Sequence, residues 1–306
     1  MSQSSNDSTL QNNGAIWAAS LALVIIWGSA FTLIGYVVDY ITPLWVVIYR
    51  LSIGAAFMFI WTYLRREKLP KLSDSRWIWY GLLGIMGGSL PFYLLSLGQL
   101  KIDSGLAAII VGASPLITIL LAHFFTEERL TGIKFTGFII GFIGVIILFL
   151  PDDFSLNLRE EWVSQMLVLI AAASYSIGTI IAKRAPETSA SVGSTIMMIS
   201  GALTASSFGL ATGLPEALPP LPALIAVITL GIVSTATAFL LFIWVIDQTG
   251  PTYIAKVNYF VPAASVIFGI VLLHEVFTWR IAIALGVILA GVIISRMGPQ
   301  ATTENL

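Results

Sequence analysis

Ten stretches of apolar residues, at about 16–38, 44–64, 77–97, 104–124, 132–150, 162–182, 190–211, 222–246, 252–273 and 279–295, leave this chain little choice of fold. A bilayer core about 30 Å thick takes roughly 20 apolar residues of helix per crossing, and each stretch is close to that length. The connections between them are short and hold charge clusters or turn residues, as in Arg65-Arg66-Glu67-Lys68, Pro151-Asp152-Asp153 and Pro219-Pro220. No soluble domain fits between the stretches, so the expected fold is an all-α integral membrane protein of ten transmembrane helices. Only 10% of the residues are charged, against roughly 25% in a soluble globular protein. With 15 basic and 16 acidic residues there is no basic surplus to meet phosphates, which excludes a nucleic-acid partner. The lipid bilayer is the expected surrounding.

The leader Met1 to Asn13 holds no Lys or Arg, and the apolar run after it is longer than a signal-peptide core; the first segment reads as a retained helix. Basic residues then orient the chain. With ten crossings both termini share a side, and that side collects Arg65, Arg66, Lys68, Lys71, Arg76, Arg129, Lys134, Lys183, Arg184 and Arg296. The other side has Lys101, Arg159 and Arg280. The positive-inside rule therefore predicts cytoplasmic termini and a cell inner (plasma) membrane location. Arg50 and Lys256 fall inside predicted helices.

Sliding the sequence against itself by 147 residues pairs Pro115 with Pro262, Glu128 with Glu275, Thr131 with Thr278 and Gly144-Val145-Ile146-Ile147 with Gly291-Val292-Ile293-Ile294. The same offset pairs Ser29 with Ser176, Thr32 with Thr179, Gly54 with Gly201, Gly84 with Gly231 and Phe92 with Phe239. One ungapped offset serves all five helix pairs, which indicates an internal duplication. Five is odd, so the second half enters the membrane from the opposite face. Such inverted repeats supply two related conformations, one open to each side, and typify secondary transporters. The expected organisation is a cytoplasmic tail at 1–15, a first repeat at 16–150, a second at 162–295 and a cytoplasmic tail at 296–306.

The motifs carry a resemblance. Helix one reads Ile26-Trp27-Gly28-Ser29-Ala30-Phe31, helix two carries Arg50 before an Ala/Gly-rich stretch, and helix four holds Pro115 followed by Glu128. Helix nine holds Asn258-Tyr259-Phe260-Val261-Pro262 followed by Leu273-His274-Glu275. Over nearly its whole length the chain resembles the EamA type of the drug/metabolite transporter superfamily. The resemblance implies a ten-helix carrier with a central cavity, of a kind often exporting amino acids or related metabolites, and no particular substrate. Lys256 stands where the family is expected to have a small or apolar residue, and His274 where it often has glycine.

Proline cannot donate a backbone hydrogen bond, so Pro115 and Pro262 free the carbonyls of Val111 and Asn258 near mid-span. In hydrocarbon that is tolerated beside protein or a wet cavity, so the two sites mark either a substrate region or helix packing. Arg50 lies about 9 Å into its helix; it pairs, snorkels, or meets an anionic group of the substrate. Lys256, with Asn258, Tyr259 and Tyr253 nearby, has the same choice between snorkelling and a carboxylate or phosphate ligand. Trp27, Tyr93 and Tyr175 fall well inside their spans and are expected to line the interior. Glu128 and Glu275 precede the expected helix caps Thr131 and Thr278 and read as structural or gating residues on opposite faces.

No carboxylate lies deep in any span, which disfavours efflux of lipophilic cations through a membrane-embedded Glu. There is no cysteine, H-E-x-x-H or G-x-S-x-G, so no enzyme, metal or cofactor is expected. The expected function is alternating-access transport of a small-molecule substrate, an amino acid or amphipathic organic anion moved outward; a channel or facilitator for small solutes is the alternative. A closed ten-helix unit can work as a monomer or pair into a dimer.

Overall fold

Nine apolar helical segments long enough to cross a bilayer are present among residues 3–126, 130–150, 158–213 and 218–297, which the computed structural model describes. In chain order the helices are α1 (Gln3–Val37, apolar from Gly14), α2 (Pro43–Leu64), α3 (Arg76–Gly84), α4 (Leu90–Gly98), α5 (Ser104–Gly112), α6 (Ser114–Phe125) and α7 (Gly132–Phe149). The second half has α8 (Leu158–Arg184), α9 (Ala190–Thr212), α10 (Leu221–Gly231), α11 (Ala238–Thr249), α12 (Pro251–Val257), α13 (Phe260–Leu273) and α14 (Trp279–Arg296). The pairs α3–α4, α5–α6 and α10–α11 each make one crossing. At 14 residues α13 is too short to span alone, and α12 completes it. The far end of α13 reaches the start of α5, where Glu275 accepts from Ser104 N and Gly105 N, on the side opposite the start of α1.

The sequence suggests unbroken helices at 104–124 and 252–273, and both are interrupted where proline removes a donor. Below Pro115 the freed Val111 carbonyl accepts from the Ser114 hydroxyl at 2.5 Å, and the chain turns at Ala113. Below Pro262 the Asn258 carbonyl accepts from Val261 N at 3.3 Å, and α12 stops at Val257. Two further irregularities carry no proline signature in common. Single π-helical turns occupy Ile85–Ser89 and Ile232–Thr237, beginning 147 residues apart. Each is held by a hydroxyl reaching back five residues, Ser89 to the Gly84 carbonyl at 3.4 Å and Thr235 to the Leu230 carbonyl at 2.7 Å.

Glycine contacts express the duplication as symmetry. A Cβ on Gly84 would stand 2.9 Å from Gly201 N, and one on Gly54 would stand 3.2 Å from the Gly231 carbonyl. Gly54 and Gly201 are repeat mates, as are Gly84 and Gly231, so a pseudo-two-fold operation exchanges the two contacts. Close backbone approach of this kind binds helices where no hydrophobic force operates between them.

The two faces of the molecule are not alike. On the side away from the termini α5 packs on α13. The repeat-related half-helices on the terminus side part company: α6 packs on α8 and α7, and α12 on α11 and α1. One end of the central region is therefore closed and the other spread. Thr131 and Thr278 cap α7 and α14 as expected, each accepting a backbone N–H at 3.4 Å.

Candidate functional site

Arg50 sits on α2, only 5% exposed, among the helices rather than at an interface. Its Nε donates to Thr235 Oγ1 at 2.8 Å, and its guanidinium carbon lies 3.6 Å from the centroid of the Phe92 ring. Tyr175 meets Phe92 edge-on with ring centroids 6.4 Å apart. Each contact has a local cause. The π-turn Ile232–Thr237 widens the helix and swings Thr235 toward α2, where its hydroxyl donates to Leu230 and accepts from Arg50 at once. The matching turn Ile85–Ser89 leads into α4 and Phe92, and its Met86 carbonyl accepts from Ser174 on α8 at 2.8 Å.

A guanidinium has five N–H donors, and only the one on Nε finds a hydrogen-bond acceptor among the described residues. No ion pair there includes Arg50. Its terminal nitrogens are nonetheless not sealed in, since they are absent from the buried atoms left without partners. A charged group buried without a counter-ion is costly unless something completes it. The repeat mate of Arg50 is Met197, so the site holds one cation although the scaffold is duplicated.

The other candidates disperse around this centre. Trp27 packs on Phe242 of α11 at 5.4 Å between ring centroids, and Tyr93 packs against the apolar cluster formed by α2 and α9. Tyr175 joins Arg50 through Phe92. Lys256, at the end of α12, is exposed on the terminus-side half of the broken helix. Tyr253 turns to Ser20 and Trp17 on α1, whereas Tyr259 lies under Arg296, 5.7 Å from its ring centroid. The break at Asn258 thus separates tyrosines that an unbroken helix would have set beside the lysine. Asn258 is itself exposed at that break. Pro262 is buried; a Cβ on Gly112 would stand 2.9 Å from its ring, so the two helix breaks lie close together at mid-membrane.

Glu275 departs from the role its spacing suggests. It serves the first turn of α5, not α14: Oε1 accepts from Ser104 N at 2.7 Å and Oε2 from Gly105 N at 3.1 Å. The carboxylate thus lies at the positive end of α5, a favourable pairing that ties the segment after α13 to that helix. Asp103, just before α5, is raised above the usual carboxylate range by burial and then by the neighbouring Glu275 and Glu161 carboxylates. Glu128 lies outside the described residues. Thr235 and Phe92 are the functional neighbours that sequence reasoning missed. Phe92 had a signal in its pairing with Phe239, while Thr235 had none beyond the small polar run Ser234–Thr237.

A separate cleft of about 260 Å³ between α6, α7 and α8 is lined by Leu116, Leu120, Phe138 and Met166 and has no polar lining. It suits hydrocarbon and has none of the groups gathered at Arg50.

Two inverted bundles of five helices, with paired helix breaks and the buried Arg50 at their junction, define the protein as a membrane transporter of the duplicated-bundle class. The chain belongs to the EamA-like transporter family, which matches residues 12–150 and 162–297. An uncharacterized transporter of Archaeoglobus fulgidus is 26% identical over 91% of this chain and 97% of its own. YoaV, an uncharacterized transporter of Bacillus subtilis, is 24% identical over 89% of this chain and 93% of its own. The uncharacterized inner membrane transporter YedA of Escherichia coli is 25% identical over 92% and 91% of the two chains. A solved crystal structure superposes with a TM-score of 0.64 at 18% identity, covering 92% of this chain and 96% of that one, and shares the fold. The family is one of transporters and not of enzymes.

Proposed function

We propose that this transporter moves a small amphipathic organic anion, an amino acid or related carboxylate, outward across the cell inner membrane by alternating access. The observation that carries the reading is Arg50, a buried guanidinium with donors to spare and no counter-ion among the described residues. A substrate carboxylate can take those donors in bidentate fashion, the strongest geometry such a pair has. Phe92 and Tyr175 offer an apolar, aromatic wall for the remainder of the substrate. With both termini in the cytoplasm, as the basic-residue count favours, the spread side between α6 and α12 faces the cytoplasm, the side from which an exporter loads. Lys256 and Asn258 stand on that side of the break, where a second cation gathers anions before they reach Arg50. Pro115 and Pro262 let each broken helix move as two halves around a fixed centre.

The test is a thermal-shift screen of purified protein against amino acids, nucleosides and organic anions. A carboxylate-bearing compound should stabilise the fold by about 2.7 kcal/mol at a hundred times its Kd. The same compound should then show saturable, trans-stimulated uptake in proteoliposomes. Stabilisation confined to nucleosides or cations overturns the anion reading, and linear flux without counter-transport makes the protein a channel.

A further inference from the structure

Among the described residues Arg50 has no acidic neighbour, and that bears on the other end of whatever it binds. The segments α4, α9, α10 and both π-turns pack on α2, and neither they nor α2 itself hold an Asp or Glu. Tyr175 is the one ionisable group among the described residues whose charge reaches Arg50, and Arg50 is the one that reaches Tyr175. Carboxylates on the other contributing helices are distant. Glu161 stands roughly 21 Å before Tyr175 along α8, and Asp247 roughly 18 Å beyond Thr235 towards the end of α11. Glu161 is also engaged, by Gln165 Nε2 at 2.8 Å and Arg280 at 3.8 Å, and Asp247 is exposed.

Neutral acceptors are committed as well. Irregular helix turns can offer loosened carbonyls to a bound cation. Here hydroxyls of the chain occupy them: the Leu230 carbonyl accepts from Thr235, the Gly84 carbonyl from Ser89 and the Met86 carbonyl from Ser174. The face that Phe92 turns to the site is spent on the guanidinium. What continues from the site is apolar. Phe239, one turn past Thr235, meets Phe242 at 6.3 Å between ring centroids, and Phe242 meets Trp27 at 5.4 Å. These half-buried rings step from Arg50 towards the terminus side.

We propose that the Arg50 site selects a monocarboxylate with an aryl or alkyl body and no ammonium group, such as a 2-hydroxy or 2-oxo acid, over the amino acid of the same shape. The inference rests on the anion reading of Arg50 and narrows it. Charge balance is the reason. A monoanion leaves a neutral guanidinium–carboxylate pair, whereas a zwitterion brings one unmatched positive charge into the same buried space. An amino acid held by its carboxylate keeps its ammonium about 5 Å from the guanidinium, and at an effective dielectric constant of about 20 that repulsion weakens binding roughly a hundredfold. A hydroxyl or keto oxygen in the same place carries no charge and escapes the penalty.

Ligand pairs of matched shape test this on the parent protein: L-3-phenyllactate against L-phenylalanine, and L-2-hydroxy-4-methylpentanoate against L-leucine. Within each pair a hydroxyl takes the place of the ammonium and the rest is the same. Thermal shifts of the purified carrier, titrated at neutral pH, give each Kd by mass action. The hydroxy acid of at least one pair should bind about a hundredfold tighter than its amino acid, and Arg50→Met should abolish its shift. In proteoliposomes that hydroxy acid should trans-stimulate its own uptake, and the matched amino acid should not. Amino acids that bind tighter, or within about tenfold of their hydroxy acids, overturn the inference; if Arg50→Met removes both shifts, the anion site itself stands. No shift from either hydroxy acid also overturns the inference. Shifts that survive Arg50→Met overturn the anion reading beneath it.

Discussion

Replacing Arg50 by methionine, the residue its repeat mate Met197 already supplies, separates the needs of the substrate from those of the fold. Arg50 gives the fold one charged hydrogen bond, to Thr235, worth about 1.5–3 kcal/mol. It also gives a cation–π contact with Phe92, worth about 2 kcal/mol when desolvated. Against these stands a desolvation penalty of several kcal/mol for an ion without a counter-charge. Methionine fills similar length, and Thr235 keeps the Leu230 carbonyl at 2.7 Å, so the substitution leaves no new buried orphan. Swaps of buried ions for apolar residues are commonly neutral or stabilising by about 1–4 kcal/mol. Arg50→Met should therefore melt at or above the parent temperature without ligand, followed by intrinsic fluorescence of the 9 tryptophans. With the carboxylate at a hundred times its parent Kd, the stabilisation of about 2.7 kcal/mol should vanish. A variant that melts several degrees lower and still responds fully to the ligand would show that Arg50 is a strut, and the reasoning would fail.

Thr235→Val removes the hydroxyl that aims the guanidinium and should weaken anion binding about tenfold, a loss of about 1.4 kcal/mol, while transport persists at saturating substrate. The double substitution Pro115→Ala with Pro262→Ala should lower proteoliposome uptake more than it lowers folded protein, because Ser114 already satisfies Val111; equal losses would count against hinging at the breaks. Gly84→Leu should abolish the monodisperse peak in fluorescence-detected size exclusion, since even a Cβ there meets the backbone at Gly201. Asp74, in the loop before α3, is bound by both Arg76 N at 2.9 Å and the Arg76 guanidinium, which holds its carboxyl down to about 2. Its contribution is thus present above the ordinary value near 3.8 and is lost as pH falls through about 2, and a carboxyl chemical-shift titration should find that midpoint.

The layers of this structure differed in how openly the sequence carried them. Apolar length and the offset of 147 residues expose the crossings and their inversion, because the bilayer sets the length and duplication copies the pattern. Pro115 and Pro262 expose the positions of two helix breaks through missing donors. The π-turns at Ile85 and Ile232 remain hidden, since a hydroxyl bonding five residues back looks in sequence like any threonine or serine. Arg50 stands out as a charge within a span, but its partners Thr235 and Phe92 come from other helices, and no local spacing could have named them. Glu275 misleads for the same reason. Its spacing to Thr278 places it near the start of α14, while folding carries its carboxylate to Ser104 in the other half.

The single arginine opposite a methionine also says something about ancestry. A half-length protein assembling as two identical copies must place the same residue at both positions: two guanidiniums repelling across a small cavity, or none. One cation at a near-symmetric centre is accessible only after the halves are fused into one chain and can mutate separately. Fusion thus did more than fix stoichiometry; it let a symmetric scaffold hold an asymmetric centre.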